Sequence, residues 1–380
     1  MSLPEVRYGA ASLADVLPAV LASLGVPGER DVLGLEPTSR TVVLFVDGLG
    51  WSLLRANADV APFLSQLPAT TLTAGFPSTT VTSLVSLGTG LPPGQHGLTG
   101  YSSYVAEVGA AVNWLGWRRI GDGADLRREL PPTVAQPQPT VFERAAQEGI
   151  ATTVISSSDV QDSGLTQAAL RGGTFHGSLT PGDVISLVSV ASRLGERALV
   201  YAYLPELDLI GHVRGPTADA WRAQLRLVDV FAEQLAMILP PGAALLITAD
   251  HGMTTVPDDD KIDYDATDEL RDGVLALAGE PRVRYVHAHQ GAARDVMASW
   301  RELLGHRMWV LTRDEAIAAG WFGPRVDQPA RERIGDVVAV AHGSTAVVRR
   351  KVEPRVAALV GHHGALTEDE VLVPLLQHRR

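Results

Sequence analysis

The first two thirds of the chain contain four short runs of β-branched and aliphatic residues, each followed by polar residues or glycine. The runs are TVVLFVDG (41–48), ATTVISSSD (151–159), ALVYAYLPELD (198–208) and ALLITADHG (244–252). Such runs are typical of strands buried in a parallel sheet. Between them, apolar residues recur every three or four positions, which predicts helices over 81–87, 141–147, 184–194 and 218–239. This alternation predicts an α/β fold with a doubly wound, mostly parallel sheet.

The pattern changes near residue 255. Residues 256–270, VPDDDKIDYDATDEL, are acidic and rich in turn formers, which indicates a surface connection. A second set of elements follows: strands over RVRYVHAH (282–289) and MWVLT (308–312), and helices over 292–305 and 313–319. We therefore expect a core formed by residues 1–255 and 345–380, and a small inserted α/β lobe, 256–344, as a candidate cap.

Charge and composition narrow the function classes. The 380 residues carry a formal net charge of −11, with a pI near 5.5, which argues against a nucleic-acid-binding surface. The chain has no cysteine, so His, Asp and Glu must hold any metal ion. The first 25 residues predict an amphipathic helix rather than a signal peptide, and no apolar run is long enough to span a membrane. We expect a cytoplasmic protein, with its oligomeric state left open.

Acidic and imidazole side chains cluster where strands end. One aspartate after a strand is more often a helix cap or turn residue than a ligand. In a parallel sheet, however, ligands bind beyond the carboxyl ends of the strands, where several of these residues fall. The candidate set is Asp47, Asp208, His212, Asp250, His251 and His363. Three carboxylates and three imidazoles are enough for two zinc-like ions, and a pair of divalent ions about 4 Å apart suits phosphoryl transfer.

A hydroxyl nucleophile is available in GFPSTTVTSLVSLGTGLPPGQHG (75–97). Pro77 cannot continue a helix from before, so Ser78, Thr79 and Thr80 are predicted near a helix start. Free amide groups and the helix dipole favour a phosphate there. Ordinary N-capping is the alternative interpretation of these hydroxyls.

Five motifs, VDGLG, FPSTT, LDLIGH, ADHGM and HHG, occur in that order over most of the chain, with an insertion before the last. Together they resemble the type I phosphodiesterase and nucleotide pyrophosphatase family of the alkaline phosphatase superfamily. The resemblance implies an alkaline phosphatase-like fold and a metal-dependent hydrolase of small phosphodiesters or nucleotide pyrophosphates. It implies two divalent ions, with Zn²⁺ expected and Mn²⁺ as the alternative. One ion is assigned to Asp208, His212 and His363, and the other to Asp47, Asp250 and His251.

The resemblance also implies a threonine or serine nucleophile that forms a covalent phospho-enzyme. The usual Thr-Phe-Pro-Asn run of the family is not reproduced here. Counting back nine residues from Thr89, which begins a matching Thr-Gly pair, selects Thr80, with Thr79 in reserve. Two positions depart from the family: Tyr101 stands where an asparagine orients the phosphate, and Val81 stands where an aromatic residue stacks on a nucleobase. Asn113 is a weak substitute for that asparagine.

The other histidines singled out in the sequence have different predicted roles. His96 is predicted to support the nucleophile helix, and His362 is the alternative to His363, although the glycine after His363 favours the latter. If the lobe caps the site, some of its polar residues are candidate substrate contacts. These are His287, His289, His342, Arg325, Arg331 and Arg333.

Other functions are less well supported. A dinucleotide-binding G-x-G-x-x-G motif would start at Gly48 and Gly50, but position 53 is leucine. The Cys/Ser-x-Pro-x-Arg setting of a sulfatase is absent. Phosphomonoesterases, phosphomutases and phosphonate hydrolases share the two-metal core and stay open. A non-catalytic binding or scaffold module is the alternative from another class, and it predicts lost ligands, whereas all six are intact.

Overall fold

The computed structural model describes residues 5–380, so the first four residues of the predicted amphipathic helix lie outside it. In chain order the strands are β1 (Arg40–Val46), β2 (Ala69–Thr73), β3 (Ser102–Val105), β4 (Ala110–Asn113), β5 (Arg118–Arg119), β6 (Ala151–Ser157), β7 (Thr174–Ser178), β8 (Ala198–Leu204), β9 (Ala244–Thr248), β10 (Thr254–Thr255), β11 (Lys261–Asp263), β12 (Val274–Glu280), β13 (Val283–Ala288), β14 (Met308–Thr312), β15 (Val337–Ala341), β16 (Ala346–Val348), β17 (Gly361–His362) and β18 (Leu372–Arg379).

Helices connect these strands. They are α1 (Val16–Ser23), α2 (Trp51–Ala56), α3 (Pro62–Gln66), α4 (Thr80–Thr89), α5 (Pro93–His96), α6 (Pro132–Ala135), α7 (Val141–Gln147), α8 (Gly164–Ala169), α9 (Pro181–Ala191), α10 (Glu206–Arg214), α11 (Asp219–Ile238), α12 (Asp268–Arg271), α13 (Ala293–Leu304), α14 (Arg313–Ala318), α15 (Gln328–Arg333), α16 (Pro354–Ala357) and α17 (Glu368–Val371). Within residues 5–380, no helix combines the length and apolarity that a membrane crossing requires.

The central sheet has seven strands in the order β2-β18-β9-β1-β8-β6-β7. The block β9-β1-β8-β6-β7 is parallel throughout, and β18 runs antiparallel to both β2 and β9. In β1, residues 41–46 are all buried, because the strand is paired on both sides and covered on both faces. The predicted mostly parallel α/β sheet is confirmed, and all four predicted core strands belong to it.

Local sequence explains where the long helices begin. Thr140 is the N-cap of α7. Its side chain accepts from the Glu143 amide, and the Thr140 amide donates to the Glu143 carboxylate, which forms a capping box. The helix α9 starts three residues earlier than predicted, because Thr180 caps it and Pro181 occupies its first position. The predicted long helix is α11, which buries apolar residues every three or four positions, including Trp221.

The inserted region contains a second sheet, four antiparallel strands in the order β12-β13-β15-β14. The predicted strands at 282–289 and 308–312 correspond to β13 and β14, and the predicted helices to α13 and α14. The strands β12 and β15 were not predicted. A three-stranded sheet, β3-β4-β5, lies between β2 and β6 in the chain and contacts β12, since Ser102 Oγ donates to the Gly279 carbonyl at 2.7 Å. The division at 256 and 344 stays a prediction.

Candidate two-metal active site

Three neighbouring parallel strands bring acidic residues to one edge of the central sheet. Asp47 follows β1 directly, and Asp250 follows β9 after a single residue. Asp208 lies in the first turn of α10, which follows β8. Because β9, β1 and β8 are adjacent and parallel, their carboxyl ends meet and the three carboxylates converge there.

The structure places the six predicted ligands in two groups of three. In each group the nitrogen and oxygen atoms available to a metal ion lie within 4.8 Å of one another. The groups are Asp208, His212 and His363, and Asp47, Asp250 and His251. The imidazole rings of His251 and His363 stack with centroids 3.4 Å apart, so the two groups adjoin. Each group has the size and donor chemistry of one three-ligand metal site.

In the first group, both imidazoles are held with Nε2 directed inward. His212 lies one helical turn after Asp208, and its Nε2 is 3.3 Å from Asp208 Oδ2. The Nε2 atom of His363 lies 3.2 Å from that of His212. The Nδ1 atoms of His212 and His363 lie 2.7 Å and 2.9 Å from the carbonyls of Gly361 and Ser78. Because a carbonyl only accepts, Nδ1 carries the proton and Nε2 is free to bind a metal ion.

The second group is built in the same way. His251 Nδ1 donates to the Gly252 carbonyl at 2.8 Å, and its Nε2 lies 3.5 Å from Asp47 Oδ1 and 3.4 Å from Asp250 Oδ2. Asp250 Oδ1 accepts from the amides of Gly48 and His251, both at 3.0 Å. These bonds fix the carboxylate and leave its Oδ2 directed at the centre of the group.

Three carboxylate oxygens in these groups are buried without a hydrogen-bond partner: Asp47 Oδ1, Asp208 Oδ1 and Asp250 Oδ2. The other oxygen of Asp47 accepts from the Tyr203 hydroxyl. Burying a charged oxygen without a partner is costly, and such atoms in native proteins call for an explanation. A pair of divalent cations would satisfy all three oxygens, so the residues fit the metals that the sequence implies.

The pKa values of the ligands are shifted by burial and by the neighbouring charges. Burial raises the pKa of Asp47 well above its usual range, and the charges of Asp250 and Asp208 raise it further. Burial also raises the pKa of Asp208. Burial lowers the pKa of His363 well below its usual range, helped by the neighbouring His251 and His212. Clustered carboxylates disfavour one another's charge, whereas a bound dication reverses that preference and requires neutral imidazoles.

Thr80 is the first residue of α4, and Thr79 is its N-cap. Thr80 Oγ1 lies 3.3 Å from His251 Nε2, at the edge of the second group. The Thr79 side chain makes no capping hydrogen bond to the helix, so it does not occupy the first amide N–H groups. Thr80 is therefore the hydroxyl adjacent to the ligands, with a helix N-terminus behind it.

The start of α4 is anchored to the segment that carries His363. The Ser78 amide donates to the Gly364 carbonyl at 2.9 Å, and Ser78 Oγ donates to the Ala365 carbonyl at 2.7 Å. Gly364 has φ +131°, and a Cβ there would lie 2.8 Å from Glu280 Cγ. Only glycine fits this position without strain, which explains physically why glycine follows His363.

A pocket with a cavity volume of about 430 Å³ opens beside the two groups. Its polar end includes Asp47, Thr80 and Asp208. Glu280, at the end of β12, and the following Pro281 also line it. The inserted region thus contributes to the wall of the pocket, at a position that sequence patterns did not indicate.

The six lobe residues that we considered as substrate contacts are not among the residues lining this pocket. His287 is buried against the Tyr104 ring at 5.1 Å, and burial lowers the pKa of His287 to about 4. Arg333 donates to the carbonyls of Gly97 and Ala135 at 2.8 Å and 3.0 Å. These contacts give His287 and Arg333 structural roles.

His96 was predicted to support the nucleophile helix, and His362 was the alternative ligand to His363; neither belongs to the two groups. Ser86 Oγ lies 3.0 Å from His96 Nε2, and the Leu98 amide donates to His96 Nδ1 at 3.2 Å. His96 therefore braces α4 against α5. His362 Nε2 donates to the Leu359 carbonyl at 3.1 Å, and His362 is in neither ligand group. His363, not His362, is the member of the first group.

Tyr101, which the resemblance places where the family has a phosphate-orienting asparagine, lines the pocket. Asn113 Nδ2 donates to the Tyr101 hydroxyl at 2.5 Å. Asn113 itself does not line the pocket. Burial raises the pKa of Tyr101 to about 12. The phenol is therefore neutral at ordinary pH and adds no charge to the site.

Two residues were missed by sequence reasoning. Tyr203 lies on β8 beside Phe45 of β1, and only this pairing brings its hydroxyl to Asp47. Glu280 is buried, with neither carboxyl oxygen in a well-formed hydrogen bond. Burial raises the pKa of Glu280 to about 8, opposed by the nearby Thr79 hydroxyl and Tyr101 amide. The acidic end of the short run VLALAGE was an available signal, but the strand itself was not predicted.

The chain combines a mostly parallel α/β sheet with two Asp/His groups at the carboxyl edge of that sheet. The family model described as type I phosphodiesterase / nucleotide pyrophosphatase matches residues 41–366, and the chain belongs to this family. No curated protein matches the chain.

Among solved structures, human ectonucleotide pyrophosphatase / phosphodiesterase 5 is similar, with a TM-score of 0.69 and 16% identity over 90% of this chain and 88% of that chain. An inactive variant of the murine protein in complex with AMP gives the same values. The murine protein itself has a TM-score of 0.66 and 17% identity, with the same coverage. These likenesses establish the fold and confirm the alkaline phosphatase-like architecture.

Proposed function

We propose that the protein hydrolyses small phosphodiesters or nucleotide pyrophosphates with two divalent cations, through a covalent intermediate on Thr80. Family membership supports phosphodiester hydrolysis. The observation that carries the finer proposal is the convergence of three unpartnered carboxylate oxygens and three inward Nε2 atoms beside the Thr80 hydroxyl. A cytoplasmic location stays a prediction.

Asp208, His212 and His363 would hold one cation, and the other group would hold the second. Mixed nitrogen and oxygen ligands, three per ion with positions left open, favour Zn²⁺, with Mn²⁺ as the alternative. When bound, the cations supply positive charge for the phosphoryl oxygens and lower the pKa of an oxygen nucleophile. The protein itself orients the three imidazoles through backbone carbonyls and Asp250 through backbone amides.

Residues of the chain have distinct roles in the proposed reaction. Thr80 Oγ1 loses its proton to solvent and forms a bond to phosphorus as the bond to one ester oxygen breaks; the departing oxygen keeps the electron pair and takes up a proton from solvent. Water next hydrolyses the phospho-threonine and restores the hydroxyl. The uncapped amides at the start of α4 stabilise negative charge on the phosphate through the helix dipole.

The charge of the pocket favours diesters. Among the described residues, no lysine or arginine lines the pocket. Apart from the cations and the amides at the start of α4, the pocket lining has no positive group to balance the second negative charge of a phosphate monoester, whereas a diester carries one. Phosphomonoesterase, phosphomutase and phosphonate hydrolase activities are therefore second candidates. The AMP bound to the murine relative supports a small, nucleotide-like phosphate ester within the proposed substrate range.

The test compares p-nitrophenol release from bis-p-nitrophenyl phosphate and from p-nitrophenyl phosphate. Each is measured in the purified protein, after chelator treatment, and after readdition of Zn²⁺ or Mn²⁺. We expect diester turnover that stops with the chelator and returns with the metal. A preference for the monoester would transfer the assignment to a phosphatase or phosphomutase. Inactivity on both compounds with full metal occupancy would support a phosphonate hydrolase or a non-catalytic module.

A further inference from the structure

The pocket beside the metal-ligand groups has two chemically different ends. One end holds the carboxylates, imidazoles and Thr80. The other is lined by aliphatic side chains that reach it from separate parts of the chain. Leu115 comes from the turn between β4 and β5, Leu209 from α10, and Val356 and Leu359 from α16 and the segment after it. We call these four residues the apolar wall.

The apolar wall is open to solvent. Leu209 is 62% exposed and Leu115 is 48% exposed, while Val356 and Leu359 are half-buried. Single exposed leucines are common on protein surfaces and need no explanation. Here, however, separate elements direct aliphatic groups at the same cavity, next to the predicted nucleophile. A ligand group that covered the wall would remove this apolar surface from water, which is favourable in proportion to the area covered.

The wall offers little to a polar ligand group. Its four side chains have no donors or acceptors, and Nε2 of the neighbouring His362 already donates to the Leu359 carbonyl. Val81 adds another aliphatic side chain to the pocket at the position where the family's stacking ring would stand. Recognition at this end must therefore depend on apolar contact rather than on hydrogen bonds.

We propose that the apolar wall is a subsite for an uncharged apolar ester group, of the alkyl or aryl class, on the substrate phosphate. This inference rests on the proposed function, because the phosphate of the same molecule would occupy the polar end. It specifies which phosphodiesters the site favours: those that carry an aliphatic or aromatic group rather than a highly polar one.

The test uses a homologous series of n-alkylphosphonates, from methyl to hexyl, as ligands that have no leaving group. Their dissociation constants are measured by calorimetry with the zinc-loaded protein. We expect affinity to rise by up to about fourfold per methylene until the chain passes the wall. The same trend is expected in kcat/KM for p-nitrophenyl alkyl phosphates.

Leu209→Ser and Leu115→Ser should flatten this dependence on chain length, because they remove the apolar contact surface. Leu227→Ser is the matched control: Leu227 lies on α11, is also 62% exposed, and does not line the pocket. This variant should keep the chain-length dependence of the unmodified protein.

The outcomes separate this inference from the proposed function. Diester turnover with equal affinity for methyl- and hexylphosphonate would overturn the subsite and leave the phosphodiesterase in place. AMP binding as tight as that of hexylphosphonate, and unaffected by Leu209→Ser, would also overturn the subsite in favour of nucleoside recognition. A chain-length trend in binding without diester turnover would support the subsite while contradicting the proposed function.

Discussion

The carboxylates at the edge of the central sheet and the Arg282–Glu370 ion pair beside the inserted sheet differ in how their buried charge is compensated. At the edge of the central sheet, Asp47, Asp208 and Asp250 each keep one buried oxygen without a partner. In the turn between β12 and β13, Arg282 is fully buried and forms two hydrogen bonds with Glu370, at 3.0 Å and 2.5 Å, and a third with the Thr345 carbonyl at 2.5 Å.

This difference separates buried charges that stabilise the fold as a pair from buried carboxylates that we propose bind a metal ion. A buried ion pair that is completely hydrogen-bonded is internally compensated, and removing either member leaves the other exposed to the full desolvation cost. Unpartnered oxygens that point at one another have no such compensation within the chain. We therefore expect substitutions at the edge of the central sheet to affect metal binding and turnover, and substitutions at the Arg282 pair to affect folding.

The largest effect is expected from Thr80→Ala. Removing the nucleophile should lower turnover of bis-p-nitrophenyl phosphate on the order of 10³-fold or more. Metal content should stay near two ions per chain, the number that the two ligand groups imply, because the Thr80 hydroxyl is not one of the six ligands. Turnover is measured by p-nitrophenol release, and metal content by elemental analysis.

Thr79→Ala is the matched control for this substitution, since it removes the adjacent hydroxyl at the N-cap. It should leave most of the turnover. If Thr79→Ala were inactive and Thr80→Ala active, the nucleophile would move by one residue. Trapping the labelled phospho-enzyme and locating the phosphate by peptide mass spectrometry gives an independent answer.

The next largest effect is expected from Asp250→Asn. Asp250 is completely buried and belongs to the second group, so the neutral amide should release one of the two cations. Turnover should fall by about 100-fold or more, since loss of even an outer-shell partner costs 10- to 100-fold. Elemental analysis should find one ion instead of two. Unchanged occupancy would refute the assignment of Asp250 as a ligand.

A third prediction concerns stability at the other region. Arg282→Met leaves Glu370 buried without its cation, which should lower the free energy of unfolding by about 3–5 kcal/mol. The control is Arg325→Met, which breaks the surface pair with Asp327, where Arg325 is 64% exposed. The expected loss there is under about 1 kcal/mol. Urea denaturation measures both, and equal losses would contradict the distinction between the two kinds of ion pair.

The fold was predictable where burial leaves a continuous apolar run, as in β1, β6, β8 and β9. The strands that were missed lack that signal for physical reasons. In β7, an edge strand, most residues are exposed or half-buried. In β18, Pro374 interrupts the run, and proline usually argues against a strand that pairs on both sides. The strand is identifiable only from its neighbours β2 and β9.

The candidate site divides in a similar way. The six ligands and Thr80 belong to short ordered motifs, so the sequence could nominate them, and their roles stay predictions. Tyr203 and Glu280 belong to no motif. Tyr203 reaches Asp47 only through the register of β8 on β1, and Glu280 reaches the pocket only through the packing of an inserted strand. Contacts between elements distant in the chain carry no local pattern.

The smallest predicted effect concerns Glu280, where the two regions meet. Burial raises the pKa of Glu280 from 4.5 to about 8, with Thr79, Tyr101 and Arg284 opposing the rise and Glu370 adding to it. Between these values the folded protein keeps a proton that the unfolded chain has lost, so this group makes stability fall as pH rises through the window. Glutamine has nearly the same shape and does not titrate.

Glu280→Gln should therefore become more stable relative to the unmodified protein by about 2 kcal/mol between pH 6 and pH 8, and the gain should level off above the folded pKa. Urea midpoints of both proteins across this range provide the measurement, because the other titrating groups are common to both and cancel in the difference. Glu302→Gln, at an exposed position on α13, is the control and should follow the unmodified protein at every pH.

If the curves of Glu280→Gln and the unmodified protein ran parallel, Glu280 would be ionised in the folded state. The pocket would then present an additional negative charge to the phosphate, which would weaken the case for a site that depends on its cations alone to balance the substrate.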